Sequence, residues 1–352
     1  MNPLAEPLPG GSVARRRALL AGTGLALSGV LGAWDGSAQA APSEVPAAVQ
    51  AALARFATLA TDTSGALVRT HAWPDASASV GWRAAHGADR TLFIGSATKT
   101  FMLAQFLRAT EAAQAPLSAA APCAIDDGVR SPGSPVFEAL TGRTAYRNVL
   151  EAMMTHSDNT ATDAVLAAVG PDAVRALIAQ ADLASVHIPD STRKLFSCLA
   201  GAPSGTDLGW EGMQRLARGQ DMGLTPLTDL MSAPQRMTGS ADDMVRWYAG
   251  ALAGRWFAQA DTLREFRRIH AMADALALVV PAGLAAYGKG GSIDWEGFHA
   301  LSVPGQMVVG RRAATFCFTL NWRGGADSVQ RVPEFVAAVA PVLQATADAL
   351  GA

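Results

Sequence analysis

The sequence predicts an α+β fold of the wider α/β class: an antiparallel sheet flanked by helices from both chain ends, with an all-helical domain inserted. Three observations predict it. Strand-like runs are confined to the two ends, at residues 64–95 and 298–321. A long middle block, residues 97–275, carries apolar residues at helical spacing. Helical segments also open and close the chain, so both ends can cover one sheet. The expected division is a sheet-and-helix domain over 41–95 plus 281–352, a helical domain over 96–280, and a site between them.

The elements follow in order. Val45 to Leu59 reads as a first helix. Ser64 to Trp73 and Ala78 to Ala85 read as two strands of a meander, and Thr91 to Gly95 as a short apolar run. Ala97 to Glu111 is apolar on most sides and predicts a buried helix. Residues 112–135, rich in Ala and Pro, read as loop. Tyr146 to Thr155 and Ala161 to Val169 are helical, and Gly170-Pro171 ends one helix and starts the next. Residues 187–240 predict a large loop with short helices. Ala241 to Ala253 and Thr262 to Ala275 are helical again. Phe298 to Val303, Gln306 to Val309 and Thr315 to Asn321 read as strands, and Val332 to Leu350 as the last helix.

Composition narrows the function. Half of the 352 residues are hydrophobic and 16% are charged, which excludes a disordered chain. The net charge of -2 offers no basic surface for nucleic acid. Of the 28 basic residues only Lys99, Lys194 and Lys289 are lysines. Such a chain uses Arg where it needs only positive charge. A retained Lys points to a compact amine that can lose its proton.

The N-terminal 40 residues read as a cleaved signal peptide. Arg15, Arg16 and Arg17 form a charged region, Ala18 to Val30 a mildly apolar one, and Ala38-Gln39-Ala40 a cleavage site. Arg16-Arg17-Ala18-Leu19-Leu20 resembles a twin-arginine signal. The apolar run is too short and Gly-rich to span a bilayer, and no second run offers an anchor. The expectation is a periplasmic or secreted monomer. Cys123, Cys198 and Cys317 read as small core residues. His156, His187, His270 and His299 show no metal-ligand spacing, so neither metal nor cofactor is expected.

Three short motifs carry chemistry. Ser96-Ala97-Thr98-Lys99 puts a hydroxyl and an amine on one face at the start of the buried helix. Burial lowers a lysine pKa, so Lys99 can take the Ser96 proton, and the helix N-terminus favours the alkoxide. A second copy, Ser191-Thr192-Arg193-Lys194, lies in the irregular stretch and reads as a surface lysine. Ser157-Asp158-Asn159 joins two helices, with a hydroxyl to relay a proton and an amide to hold a substrate amide; it also reads as a helix cap. Lys289-Gly290-Gly291-Ser292 stands where strands resume, with a charge for a carboxylate and glycines for close backbone approach.

In this order the three motifs resemble the penicillin-recognising serine hydrolase superfamily, most of all class A β-lactamases, over about residues 45–350. The resemblance implies a β-lactamase/transpeptidase-like fold. It implies Ser96 as acylated nucleophile, Lys99 as its base and Ser157 as proton shuttle. Asn159 would hold the substrate amide, and Lys289 and Ser292 the carboxylate, with Gly291 between them. The backbone N–H groups of Ser96 and Ser292 would form the oxyanion hole. The implied substrate is a small-molecule β-lactam or a peptidoglycan-like peptide.

Two departures separate this chain from that pattern. Gly290 stands where the third motif usually has Thr or Ser. No Glu lies between Glu151 and Glu211, where class A enzymes carry the base that deacylates the enzyme. Asp190 and Glu211 are the remaining carboxylate candidates. Alternatives on the same scaffold are therefore a D,D-peptidase, an esterase, or a slowly deacylating penicillin-binding protein.

Overall fold

The computed structural model describes residues 44–74, 81–112 and 117–351. The export segment expected over residues 1–40 lies outside the described residues. From the N-terminal side, α1 (Ala47–Ala57) leads to β1 (Ser64–Ala72), β2 (Arg83–His86) and β3 (Leu92–Phe93). A 3₁₀ turn, Gly95–Thr98, runs into α2 (Lys99–Thr110). β4 (Pro122–Ile125) pairs with β5 (Gly142–Ala145), and α3 (Tyr146–Thr155), α4 (Asn159–Val169) and α5 (Pro171–Gln180) follow. Then come α6 (Thr192–Leu199), α7 (Gly209–Ala217), β6 (Thr238–Gly239), α8 (Ala241–Leu252) and α9 (Ala260–His270). A second 3₁₀ turn, Asp274–Leu278, precedes β7 (Ala285–Gly288), β8 (Gly291–Trp295), β9 (Phe298–Val309), β10 (Arg312–Arg323) and α10 (Ser328–Gly351).

The sheet is antiparallel in the order β2-β1-β10-β9-β7, with β8 pairing β9 on the same side as β7. Both chain ends build it, as the strand pattern predicts. Side chains alternate across it. Val68, Phe316 and Phe318 pack with Val49 and Phe56 of α1 and Val339 of α10. Leu67 and Cys317 point the other way, into the core around Phe101, Phe106 and Trp247. Cys123, Cys198 and Cys317 are buried and unpaired. Among the described residues no helix is long and apolar enough to cross a membrane.

Several boundaries differ from expectation. The strand expected from Ala78 begins at Arg83; residues 75–80 are outside the described ones. The helix expected from Ala97 begins at Lys99, because Gly95–Thr98 forms a tighter 3₁₀ turn. α4 begins at Asn159, two residues before the expected Ala161, because Asp158 caps it through Ala161 N at 2.7 Å. The helix expected to reach Ala275 ends at His270. The 112–135 loop contains β4, and the 187–240 loop contains α6 and α7.

The most informative difference is at Pro304. The runs 298–303 and 306–309 are one strand, β9, with Pro304 inside it. An interior proline removes a ladder donor. Here the loss falls on an interruption, because β8 pairs β9 only up to Ser302 and β7 only from Gly305. The Pro304 carbonyl accepts from Lys289 N at 3.2 Å, so the missing N–H faces the same gap. Proline thus stands where the neighbouring edge breaks, and Lys289 occupies the break.

α2 runs through the helical core with Phe101, Met102, Leu103 and Phe106 fully buried. One polar chain sets its rotation. His270 Nδ1 faces the Phe266 carbonyl at 2.9 Å and therefore carries the proton. Its Nε2 then accepts from Thr100 Oγ1 at 2.9 Å, and Thr100 Oγ1 accepts from Trp247 Nε1 at 2.9 Å. Burial, with Lys289 adding to it, lowers His270 to about 3, so the ring is neutral at neutral pH.

Arg193 holds the segment after α5 to the rest. Its guanidinium makes a two-pronged pair with Asp207, at 2.7 and 2.8 Å. It also donates to the carbonyls of Asp127, Gly128 and Arg130. Removing it leaves those carbonyls without their donor and Asp207 with only the Gly209 N–H. Arg193→Met is expected to lower unfolding stability by about 3 kcal/mol, and Arg193→Lys, which lacks the planar fork, to recover less than half. Urea denaturation checks this; a loss within about 0.5 kcal/mol, the ordinary surface value, would contradict it.

Candidate active site

Ser96 is held in its turn by clamps on both sides. Asn321 of β10 accepts from Phe93 N at 2.8 Å and donates to Phe93 O at 2.9 Å. Ile94 N donates to Met237 O at 2.9 Å. The chain then reverses at Gly95, whose φ of 54° a side-chain-bearing residue rarely adopts. β8 lies directly against this turn. A Cβ on Gly291 would stand 2.0 Å from Ile94 O and 3.0 Å from Ser96 N. A Cβ on Gly95 would stand 2.8 Å from Ser292 O and 3.1 Å from Ser292 N. Two facing glycines permit the contact, and the amides of Ser96 and Ser292 flank it.

Lys99 begins α2 and is fully buried. Its Nζ donates to Ser157 O at 2.6 Å, to Asn159 Oδ1 at 2.7 Å and to Ser157 Oγ at 3.2 Å. Among the described residues no hydrogen bond joins it to Ser96 Oγ. The Ser157 carbonyl reaches the amine because Ser157 takes a left-handed φ of 59°. Asp158 points away, accepting from Val136 N, Phe137 N and Ala161 N. The tripeptide is therefore both a helix cap and a set of acceptors for Lys99. Burial and the nearby Lys289 charge hold the Lys99 pKa well below the lysine range, while Asp158 and Asp163 pull it back up.

Lys289 is buried in the break between β7 and β8, where its Nζ donates to Gly290 O at 2.7 Å. Burial lowers it to about 8, with Asp274 opposing the shift. A cleft of about 210 Å³ opens beside it, lined at this end by Ser157, Asp274, Lys289, Gly291, Ser292 and Ser302. The middle glycine of the motif now has a cause. A Cβ on Gly290 would stand 2.5 Å from Ala275 Cβ, so the Asp274–Leu278 turn occupies the space of a Thr or Ser side chain.

All seven site residues read from the sequence gather here. Lys99, Ser157 and Asn159 are joined by hydrogen bonds; Ser157, Lys289, Gly291 and Ser292 share the cleft; Ser96 joins through the glycine contact. Lys194 is elsewhere. Ser191 caps α6 by accepting from Lys194 N at 3.0 Å, so the second S-x-x-K is a capping motif. Asp190 lies between Arg175 and Lys194 and also accepts from Gln235. Burial raises its carboxyl, but Arg175 and Lys194 outweigh this and hold it below the carboxylate range. Glu211 is exposed on α7. Asp163, pushed up to about 6 by burial, accepts from Thr192 N and Oγ1 and from Arg193 N.

Sequence reasoning missed Asn321, Asp274, Ser302 and Pro132, whose carbonyl accepts from Asn159 Nδ2 at 2.7 Å. None belongs to a local motif. An Asn within the apolar β10 run is the one signal that was available, since a buried amide needs partners.

A family model described as the beta-lactamase enzyme family matches residues 74–291. No curated protein matches the chain. Among solved structures, a β-lactamase from Sphaerobacter thermophilus superposes with a TM-score of 0.62 at 18% identity, covering 86% of this chain and 97% of that one. The TLA-3 extended-spectrum β-lactamase gives 0.63 at 12% identity, covering 86% and 98%. PBP-A gives 0.60 at 15% identity, covering 88% and 99%. With the sheet, the inserted helices and the three motifs in place, the chain belongs to the beta-lactamase enzyme family and has the class A β-lactamase fold.

Proposed function

We propose that this chain is an exported, monomeric serine hydrolase that opens a β-lactam amide through an acyl-enzyme on Ser96. The observation that carries the reading is Lys99, a buried amine three residues after Ser96 and bonded to both Ser157 and Asn159. In the neutral form Lys99 takes the proton of Ser96 Oγ as that oxygen attacks the lactam carbonyl carbon. The carbonyl oxygen gains negative charge between the N–H groups of Ser96 and Ser292. On collapse the C–N bond breaks. The nitrogen takes a proton from Ser157 Oγ, which Lys99 restores. Asn159 orients the substrate amide, and Lys289 with Ser292 receives its carboxylate. The sheet-bearing ends of the chain thus supply the carboxylate side and the inserted helices the proton-transfer side.

Release is the slow step in this reading. Hydrolysis of the ester needs a base for water, and Asp158, Asp163 and Asp190 are each tied to structural partners. The only acid in 193–207 is Asp207, which pairs with Arg193. The same feature favours, as the second reading, a D,D-peptidase or a penicillin-binding protein that stays acylated.

Intact-mass spectrometry after mixing with benzylpenicillin is expected to show one added penicillin on the wild type and none on Ser96→Ala. Nitrocefin turnover is expected below about 1 s⁻¹, against a typical enzyme value near 10 s⁻¹. A wild type that never gains the adduct and never turns over nitrocefin would refute the proposal. Faster turnover would refute slow release.

The pH profile tests Lys99. The reactive form is the neutral amine, and its pKa is lowered. Acylation is therefore expected to rise with pH and level off below the ordinary lysine value of about 10.4. Lys99→Met is expected to slow acylation by about 100-fold or more. A rate still climbing through the ordinary lysine range would show that Lys99 is not the base.

A further inference from the structure

The cleft beside Lys289 carries one charge of each sign. Among the described residues its ionised side chains are Lys289 and Asp274 alone, and no arginine lines it. Asp274 opens the 3₁₀ turn Asp274–Leu278. The next residue of that turn, Ala275, fills the place of a side chain on Gly290, where a Cβ would stand 2.5 Å away. Where the motif usually puts a hydroxyl beside its lysine, this chain brings a turn headed by a carboxylate.

Asp274 has no partner of its own. It is exposed, and among the described residues its carboxylate joins no hydrogen bond and no ion pair. Its charge acts on Lys289 instead. Burial lowers the Lys289 amine to about 8, and Asp274 is the charge that opposes this shift.

Few donors remain to offset that carboxylate when a second anion enters. Lys289 Nζ donates to Gly290 O at 2.7 Å. Ser302 Oγ is bonded to Thr319 Oγ1 at 2.9 Å, and Ser157 Oγ is engaged with Lys99. The Ser292 hydroxyl is left, at an exposed position. Beyond it Leu278, Val279, Val332 and Phe335 form an apolar wall with no donor for an anion. A carboxylate beside Lys289 is therefore attracted by one charge and repelled by another, whereas an uncharged group does not meet the repulsion.

We infer that Asp274 is a specificity-determining residue, setting the cleft to take substrates uncharged on the amide-nitrogen side nearly as readily as carboxylates. The inference rests on Ser96 acylation as proposed above. Benzylpenicillin and benzylpenicillin methyl ester test it, because they differ only in that charge. The readout is the ratio of their second-order acylation rates, followed by intact mass.

The wild type is expected to favour the free acid by less than about 10-fold, since the two cleft charges offset each other. Asp274→Asn is expected to move the ratio at least about 5-fold toward the acid, the upper range for an exposed charge pair. Asp274→Glu, which keeps the charge, is expected to keep the wild-type ratio. A disturbed turn would slow both reactions together and leave the ratio where it was. The wild-type ratio tests the inference without any variant. A wild type favouring the acid by more than about 10-fold, or an Asp274→Asn ratio equal to that of the wild type, would overturn the inference alone. No adduct with either compound would overturn the acylation reading and this inference with it.

Discussion

The site depends on one close backbone contact, between the Ile94–Ser96 turn and β8, that two glycines permit. Gly95 turns the chain into the Ser96 turn, and Gly291 lets strand β8 press against it. Neither position has room for a Cβ, since the nearest backbone oxygens would stand at 2.8 and 2.0 Å. Without that contact the Ser96 and Ser292 amides do not share a volume, and Ser96, the proposed nucleophile, is not presented to the strand. Asn321 and Met237 hold the turn from behind. Pro304 and Lys289 shape the break that starts β8 in the right place. Much of the sheet edge thus serves one close approach.

The basic residues divide along physical lines. Lys99 and Lys289 are buried, and burial depresses both amines. A guanidinium would stay charged there and present five donors where few acceptors exist. Arg193 sits in the opposite situation, with a carboxylate and three carbonyls arranged around a planar fork. Lys194, the third lysine, pairs weakly with Asp190 at 3.4 Å near the surface. The scarcity of lysine picks out two buried positions of the proposed site and one that is only a helix start.

What the sequence shows is what a single segment encodes. S-x-x-K at a helix start and S-D-N between helices are local, because one turn of backbone places their side chains. The α+β order of elements was legible for the same reason, through periodicity at each end of the chain. The residues that escaped act across the chain. Asn321 and Phe93 are 228 positions apart, and Asp274 reaches Lys289 only after the 3₁₀ turn folds over the sheet edge. The two runs on either side of Pro304 are a single strand because the partner edge breaks beside the proline. Gly290 looked like a lost hydroxyl, and its contact with Ala275 shows instead that a neighbouring turn took the space.

The central claim is that the glycine contact assembles the reactive centre. It is tested most directly by the acylation rate of Gly291→Ala with benzylpenicillin, read beside its thermal unfolding. The account predicts a folded protein whose Ser96 acylates about 100-fold slower or worse, the order seen when one oxyanion donor is lost. A folded Gly291→Ala protein that acylates at the wild-type rate would contradict it.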